Sequence, residues 1–140
     1  MITRLFAEYG AFHKDSRNIV CHEIGIPLVV LGLFALLELV RFGPIDAAIV
    51  LAVLVLFYYV RLSPPLAVAA LFAFALFYWL ARFISWPLAV GAVVIGWALQ
   101  FLGHRFEGRN PAFMTNVVQL LTGPLWICWI VAGGKRETSS

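Results

Sequence analysis

Five long apolar stretches constrain this chain more than any other feature. They cover residues 24–40, 46–60, 66–84, 88–103 and 117–134. Each has about 15–20 residues, close to the roughly 20 that a helix needs to cross the hydrocarbon core of a bilayer. Because 63% of the 140 residues are hydrophobic and only 12% are charged, one small core cannot bury all the apolar surface. We therefore predict an all-α, polytopic transmembrane helical bundle of about five spans.

The breaks between these stretches contain residues that end helices. The segment 41–44 brings a charge, a glycine and a proline together, and Asp46 can cap the helix that follows. Pro64 and Pro65 stop the second stretch. Several aromatic residues lie close enough to span ends to act as interfacial anchors, namely Tyr58, Tyr59, Tyr78, Trp86, Trp126 and Trp129.

Residues 1–23 differ from the rest of the chain because apolar residues recur there at helical spacing. Leu5, Phe6 and Tyr9 are part of this pattern, which predicts an amphipathic helix lying on the membrane. Asp15 and Ser16 can cap a new helix that runs into the first span. We expect a single transmembrane domain over residues 1–134, with an interfacial segment at 1–23, spans over 24–134 and a disordered tail at 135–140.

Five crossings would place the N-terminus, the 61–65 loop and the 103–116 loop on one face of the membrane. That face carries six of the ten basic residues: Arg4, Lys14, Arg17, Arg61, Arg105 and Arg109. The other face carries Arg41, Arg82, Lys135 and Arg136. The excess favours a cytoplasmic N-terminus. The compact chain suits a bacterial inner membrane, or the endoplasmic reticulum in a eukaryote.

All three histidines fall on that same face. His13 and His22 precede the first span, and His104 ends the fourth. They are either three unrelated interfacial residues or one joint site, because polar groups at a bilayer edge are costly unless they reach water or pair. His13 and His22 are nine residues apart and would point to opposite sides of one straight helix. A helix break at 15–16 would let them converge. Asn18 shares the helical face of His22.

A second polar group lies at the end of the fourth stretch. Gln100, His104 and Glu107 follow each other at steps of four and three residues, which places them on one helical face. Three imidazoles and one carboxylate are a reasonable ligand set for Fe(II) or Zn(II). Two of the histidines could instead ligate a haem. Glu107 could also simply pair with Arg105 or Arg109.

Other classes of function find little support in the chain. The formal net charge of +3 is modest and spread out, so nucleic acid is not an expected partner. No Ser-His-Asp arrangement and no phosphate-binding glycine loop can be read. Cys21 and Cys128 lie far apart in the sequence, and we expect neither a disulfide nor a zinc pair.

Two motifs give the chain a resemblance to a known family. The first is Tyr9-x3-His13-x4-Asn18-x3-His22-x2-Gly25-x-Pro27. The second is Gln100-Phe101-x-Gly103-His104-x2-Glu107-x3-Pro111-Ala112. In this order and spacing they resemble the signatures of the membrane-bound 2-hydroxy fatty acid dioxygenases, and the resemblance covers nearly the whole chain.

The resemblance implies an Fe(II)-dependent α-oxidation. A long-chain 2-hydroxy fatty acid and O2 would give the fatty acid one carbon shorter, CO2 and water. His13, His22 and His104 would bind the iron, and Glu107 would be a fourth ligand or a supporting group. Asn18 and Gln100 would orient the ligands or the bound oxygen.

The substrate would bridge the protein and the lipid bilayer. A cation near the site, one of Lys14, Arg17, Arg105 and Arg109, could neutralise its carboxylate, although each could equally contact a lipid headgroup. The acyl tail would lie between the spans or in the lipid, against residues such as Phe101, Trp97 and Phe12. A homodimer is possible. Two alternatives stay open: a non-enzymatic membrane carrier or assembly protein, and a bis-histidine haem protein.

Overall fold

The computed structural model describes residues 1–134, and these residues fold into six α-helices. In chain order they are α1 (Ile2–Gly10), α2 (Ser16–Leu37), α3 (Ala47–Leu62), α4 (Pro64–Ala81), α5 (Trp86–Glu107) and α6 (Gln119–Val131). A hairpin of two short strands, β1 (Arg41–Phe42) and β2 (Ile45–Asp46), joins α2 to α3. A single 3-10 turn, Ala112–Met114, lies between α5 and α6. The all-helical prediction is confirmed, and the predicted tail at 135–140 lies outside the described residues.

The helices begin where the sequence provides capping residues. The Asp15 side chain accepts the backbone N–H of Arg17 at the start of α2, as expected from a helix break at this point. The Asp46 side chain accepts the N–H of Ile49 at 3.0 Å and so caps α3. Helices α4 and α5 each carry a proline in their first turn, where no backbone N–H is needed.

Three of the described helices, α2, α4 and α5, are long and apolar enough to cross a membrane. Helices α3 and α6 are apolar but shorter. Many large apolar side chains on the outside of the bundle are exposed, as suits contact with lipid. The count of five spans, the cytoplasmic N-terminus and the surface location of segment 1–23 stay predictions. That segment contains α1 and the first turns of α2.

The most extensive helix contact joins α2 to α5, which run antiparallel. A Cβ added to Gly25 would lie 2.7 Å from the carbonyl oxygen of Gly96, so only small residues allow this approach. The contact repeats every seven residues along both helices, through the pairs Asn18–Gly103, Gly25–Gly96 and Gly32–Ala89. This pairing fixes the start of α2 beside the end of α5.

Aromatic side chains hold α1 against α6. Two of the aromatic residues expected at the membrane surface are buried instead. The rings of Phe6 and Trp129 lie 5.2 Å apart, as do those of Tyr9 and Trp126. Tyr59 and Trp126 are buried at 0% and 3% exposure, so the prediction that they anchor the chain at the lipid–water boundary is wrong. Trp126 faces inward because the short α6 packs against α1 and α4, and Tyr59 of α3 faces α6, where its hydroxyl donates to the carbonyl oxygen of Leu121. The two cysteines are free, as predicted.

Candidate metal centre

The three histidines meet where α2 begins and α5 ends. His13 lies in the turn between α1 and α2, His22 lies near the start of α2, and His104 lies in the last turn of α5. One ring nitrogen from each falls within 4.8 Å of the other two. All three side chains are buried. The helix break at 15–16 and the close α2–α5 contact therefore bring together residues that are far apart in the sequence.

Backbone carbonyls orient two of the three rings. The Nδ1 atom of His13 lies 2.6 Å from the carbonyl oxygen of Tyr9, and that of His22 lies 3.0 Å from the carbonyl oxygen of Asn18. Because a carbonyl oxygen only accepts, each Nδ1 carries the proton and donates it. The Nε2 atom of each ring is thus left with a free lone pair, the form in which histidine binds a metal ion.

Two ring nitrogens are buried without a hydrogen-bond partner among residues 1–134. They are Nε2 of His13 and Nδ1 of His104. A buried nitrogen without a partner costs free energy, and a metal ion shared by the three rings would remove that cost. Burial, with a further contribution from the neighbouring His22, lowers the pKa of His13 to about 2. His13 is therefore neutral at physiological pH, as a metal ligand must be.

Glu107 lies next to the histidines, but its carboxylate forms hydrogen bonds with the turn before α2. Its carboxylate accepts the backbone N–H of Lys14 at 3.0 Å, the N–H of Asp15 at 2.8 Å and the side-chain amide of Asn18 at 3.1 Å. Within the described residues, the group of possible metal ligands contains the three histidines and not Glu107. The carboxylate thus holds the turn that carries His13, and its role as a fourth ligand stays a prediction.

An apolar cavity of about 290 Å³ extends from the histidines between α2, α3, α5 and α6. Both His22 and Phe34 line it, so it follows α2 for about 18 Å at roughly 1.5 Å per residue. Gln100, Trp97 and Phe101 line the cavity as well, whereas Phe12 does not. Among residues 1–134, no lysine, arginine, aspartate or glutamate contributes to its wall.

The four cations proposed for the substrate carboxylate lie outside this cavity: Lys14, Arg17, Arg105 and Arg109. Arg17 forms an ion pair with Asp15, with 2.8 Å between Nη2 and Oδ2. Arg109 donates to the carbonyl oxygen of Ala11 at 3.0 Å. Their contacts brace the turn around the histidines from outside, and a role in substrate binding stays a prediction.

For two residues that line the cavity, the sequence predicted no functional role. The ring of Tyr9 stacks on His13 with 4.0 Å between centroids, and its carbonyl orients the same histidine. Tyr9 belongs to the first motif, one helical turn before His13, and that spacing is the signal that could have revealed it. Gln119 is 4% exposed and lines the cavity. The only sequence feature that could have indicated this position is a polar amide side chain near the start of the last apolar stretch.

Fold and site together define a helical, membrane-type bundle with a buried group of three histidines, able to hold a metal ion, at one end of an apolar cavity. The family model described as 2-hydroxy-palmitic acid dioxygenase Mpo1-like matches residues 1–135. The chain belongs to this Mpo1-like family, and the resemblance given by the two motifs is confirmed. Searches of curated proteins and of solved structures gave no significant match.

Proposed function

We propose that this chain is an Fe(II)-dependent dioxygenase that shortens long-chain 2-hydroxy fatty acids by one carbon. The observation that carries the proposal is the group of three buried imidazoles, two of them with unpartnered nitrogens, at one end of an apolar cavity. The family description, which names a 2-hydroxy-palmitic acid dioxygenase, supports this class of substrate.

The reaction balances without a further reductant. One 2-hydroxy fatty acid and one O2 give the acid one carbon shorter, CO2 and one water. O2 accepts four electrons, and the substrate supplies all four as the bond between its carboxyl carbon and C2 breaks. A second organic substrate such as 2-oxoglutarate is therefore not needed. His13, His22 and His104 would hold the iron, and the chemistry it would supply is the activation of O2 for this cleavage.

The charges around the site suit an anionic head group. Three neutral histidines leave the full charge of a divalent ion uncompensated, and no charged side chain of residues 1–134 lines the cavity. The carboxylate of Glu107 accepts the N–H groups of Lys14 and Asp15 and does not line the cavity. A carboxylate that enters the cavity would therefore be drawn to the metal end rather than to a surface cation.

The rest of the cavity suits an acyl chain. The rings of Trp97, Phe101 and Phe113 contact one another, with 5.9 Å between the first two and 5.5 Å between Trp97 and Phe113. All three line the cavity. Each methylene buried against such a wall contributes about 0.8 kcal/mol to binding. The acyl chain of the substrate would therefore provide affinity, and the head group would fix its orientation.

The test combines metal and product analysis on the same sample. The protein is purified without oxygen in a mild detergent, its iron is measured, and 2-hydroxypalmitate is added with O2. We expect the C15 acid and CO2 in equal amounts, and no product from palmitate. Iron-loaded protein that forms no C15 acid would overturn the proposal. A strong Soret band from the purified protein would favour the bis-histidine haem alternative instead.

A further inference from the structure

We propose that Gln119 recognises the 2-hydroxyl group of the substrate and so separates 2-hydroxy acids from ordinary fatty acids. This role depends on the proposed function for the identity of the ligand. Gln119 begins α6 and shares the cavity wall with all three histidines. Neither motif of the family resemblance includes it.

The side chain of Gln119 is buried but incompletely bonded. It is 4% exposed, and its Oε1 atom has no hydrogen-bond partner among residues 1–134. A buried amide oxygen without a donor costs free energy, so a native protein that retains one at a cavity wall has a reason to do so. A bound ligand that donates to this oxygen would recover the cost.

Other unpartnered atoms near the site have their own explanation. The nitrogens of His13 and His104 belong to the three-histidine group, and a metal ion held there would satisfy them. The Oδ1 atom of Asn18 packs directly against Gly103, where α2 and α5 touch. Gln100 also lines the cavity, but its stem packs on Gly25 and its amide is not fully buried. Gln119 is left as the cavity-lining amide whose buried acceptor has no partner within residues 1–134.

The turn before α6 holds Gln119 in place. Its backbone N–H donates to the carbonyl oxygen of Asn116 at 2.9 Å, and the side chain of Asn116 accepts the N–H of Val118 at 3.1 Å. Two residues further on, the carbonyl oxygen of Leu121 accepts the hydroxyl of Tyr59. The amide is therefore presented from a fixed backbone, as discrimination between similar ligands requires.

The chemistry of the ligand follows from the unpartnered atom. Oε1 is an acceptor, so the ligand must bring a donor. At neutral pH the carboxylate of a fatty acid only accepts, and the 2-hydroxyl is the one donor of a 2-hydroxy fatty acid. Palmitate has no such donor. A site built to bond a hydroxyl rejects the analogue that lacks it, because its own polar group is then left unpaired.

The test measures binding without turnover. The full-length, iron-loaded protein is kept free of oxygen, and palmitate and 2-hydroxypalmitate each compete with a fluorescent fatty acid. We expect the wild type to prefer the 2-hydroxy acid. Gln119→Met should lower that preference about tenfold, the order of one hydrogen bond, while affinity for palmitate is unchanged. The matched control is Thr122→Val, since Thr122 is buried on the same helix but bonds within it and does not line the cavity.

Either of two results would overturn the role of Gln119: a wild type without preference, or a Gln119→Met variant that keeps it. If Gln119→Met also loses palmitate binding, Gln119→Asn decides, since it withdraws the amide by one methylene; full preference in that variant would overturn the proposal. Binding under these conditions requires no reaction. A preference that depends on Gln119 in a protein that forms no C15 acid would therefore contradict the proposed function alone.

Discussion

The two ends of the bundle both bury polar side chains, but they bond them differently. At the end away from the histidines, Asp46 is fully buried and each of its oxygens has a donor, Ile49 N–H at 3.0 Å and the Tyr78 hydroxyl at 2.6 Å. At the histidine end, two ring nitrogens and the Gln119 oxygen have no partner within residues 1–134. Asp46 is therefore satisfied within the fold, although Oε1 of the neighbouring Glu38 has no hydrogen-bond partner among residues 1–134. At the histidine end, the unpartnered nitrogens belong to a group able to hold a metal ion.

The two ends also differ in how far apart in the sequence each carboxylate and its hydrogen-bond donor lie. Asp46 caps the helix that it begins, three residues from its partner. Glu107 accepts the N–H of Lys14, which lies 93 residues earlier. A local cap can be read from the sequence and contributes stability, while the long-range bond exists only once α2 and α5 have packed. Four experiments test whether this division between stability and site holds.

The largest effect is expected for His104→Ala at the histidine end. Iron content should fall to background and turnover should drop more than about a hundredfold, beyond the effect of removing a residue that only orients a ligand. The helical content of the protein in the membrane should be unchanged, because the α2–α5 contact does not depend on the imidazole. Metal analysis with circular dichroism measures both. Full iron retention would remove His104 from the ligand set.

Glu107→Gln separates a supporting role from direct ligation. If the carboxylate holds the turn that carries His13, the amide keeps one acceptor but loses its charge, and iron affinity should fall about 10–100-fold. Saturating iron should then restore most of the turnover. Competition with a chelator measures the affinity. Failure to bind iron at any concentration would instead make Glu107 a ligand.

Asp46→Ala should act on stability alone. The change removes the cap of α3 and leaves the hydroxyl of Tyr78 without its acceptor, which should lower the free energy of unfolding by about 2–3 kcal/mol. Iron content should equal that of the wild type. Unfolding in detergent gives the first quantity, with Tyr78→Phe as the milder control. A loss of iron in the folded variant would mean that the two ends are coupled.

The smallest effect is expected from pH in the metal-free protein. Burial holds the pKa of His13 well below its unfolded value, so the unfolded chain takes up a proton near pH 6.5 and the folded chain does not. Stability is therefore fully present above pH 6.5 and falls as the pH drops, by about 1–2 kcal/mol at pH 5. Unfolding measured at pH 7, 6 and 5 should show this, and His13→Gln should reduce the slope. An unchanged slope in that variant would show that His13 takes up its proton while folded.

Much of the fold could be predicted because its determinants are local. The apolar stretches, the Asp15 and Asp46 caps and the prolines of α4 and α5 act within one helical turn. The inward position of Tyr59 and Trp126 could not be predicted from the sequence. Apolar helices have no strong polar face that would show which side packs against the protein.

The candidate site divides in the same way. The sequence supplied the three histidines and the helix break that lets His13 and His22 converge. It could not show that the cations lie outside the cavity, or that Gln119 lies inside it. Those positions depend on how the turns before α2 and α6 fold against α5.

By itself, the sequence determined an apolar helical bundle, the starts of α2 and α3 and the residues able to bind a metal. Only the tertiary structure decided which of those residues meet, since Gly25 and Gly96 let two helices approach closely enough to place His22 beside His104. It also decided that Glu107 bonds a backbone turn and that Gln119 keeps a free acceptor. Hydrogen bonds and metal ligands act over a few ångströms, so they are set by packing between segments that lie far apart in the chain.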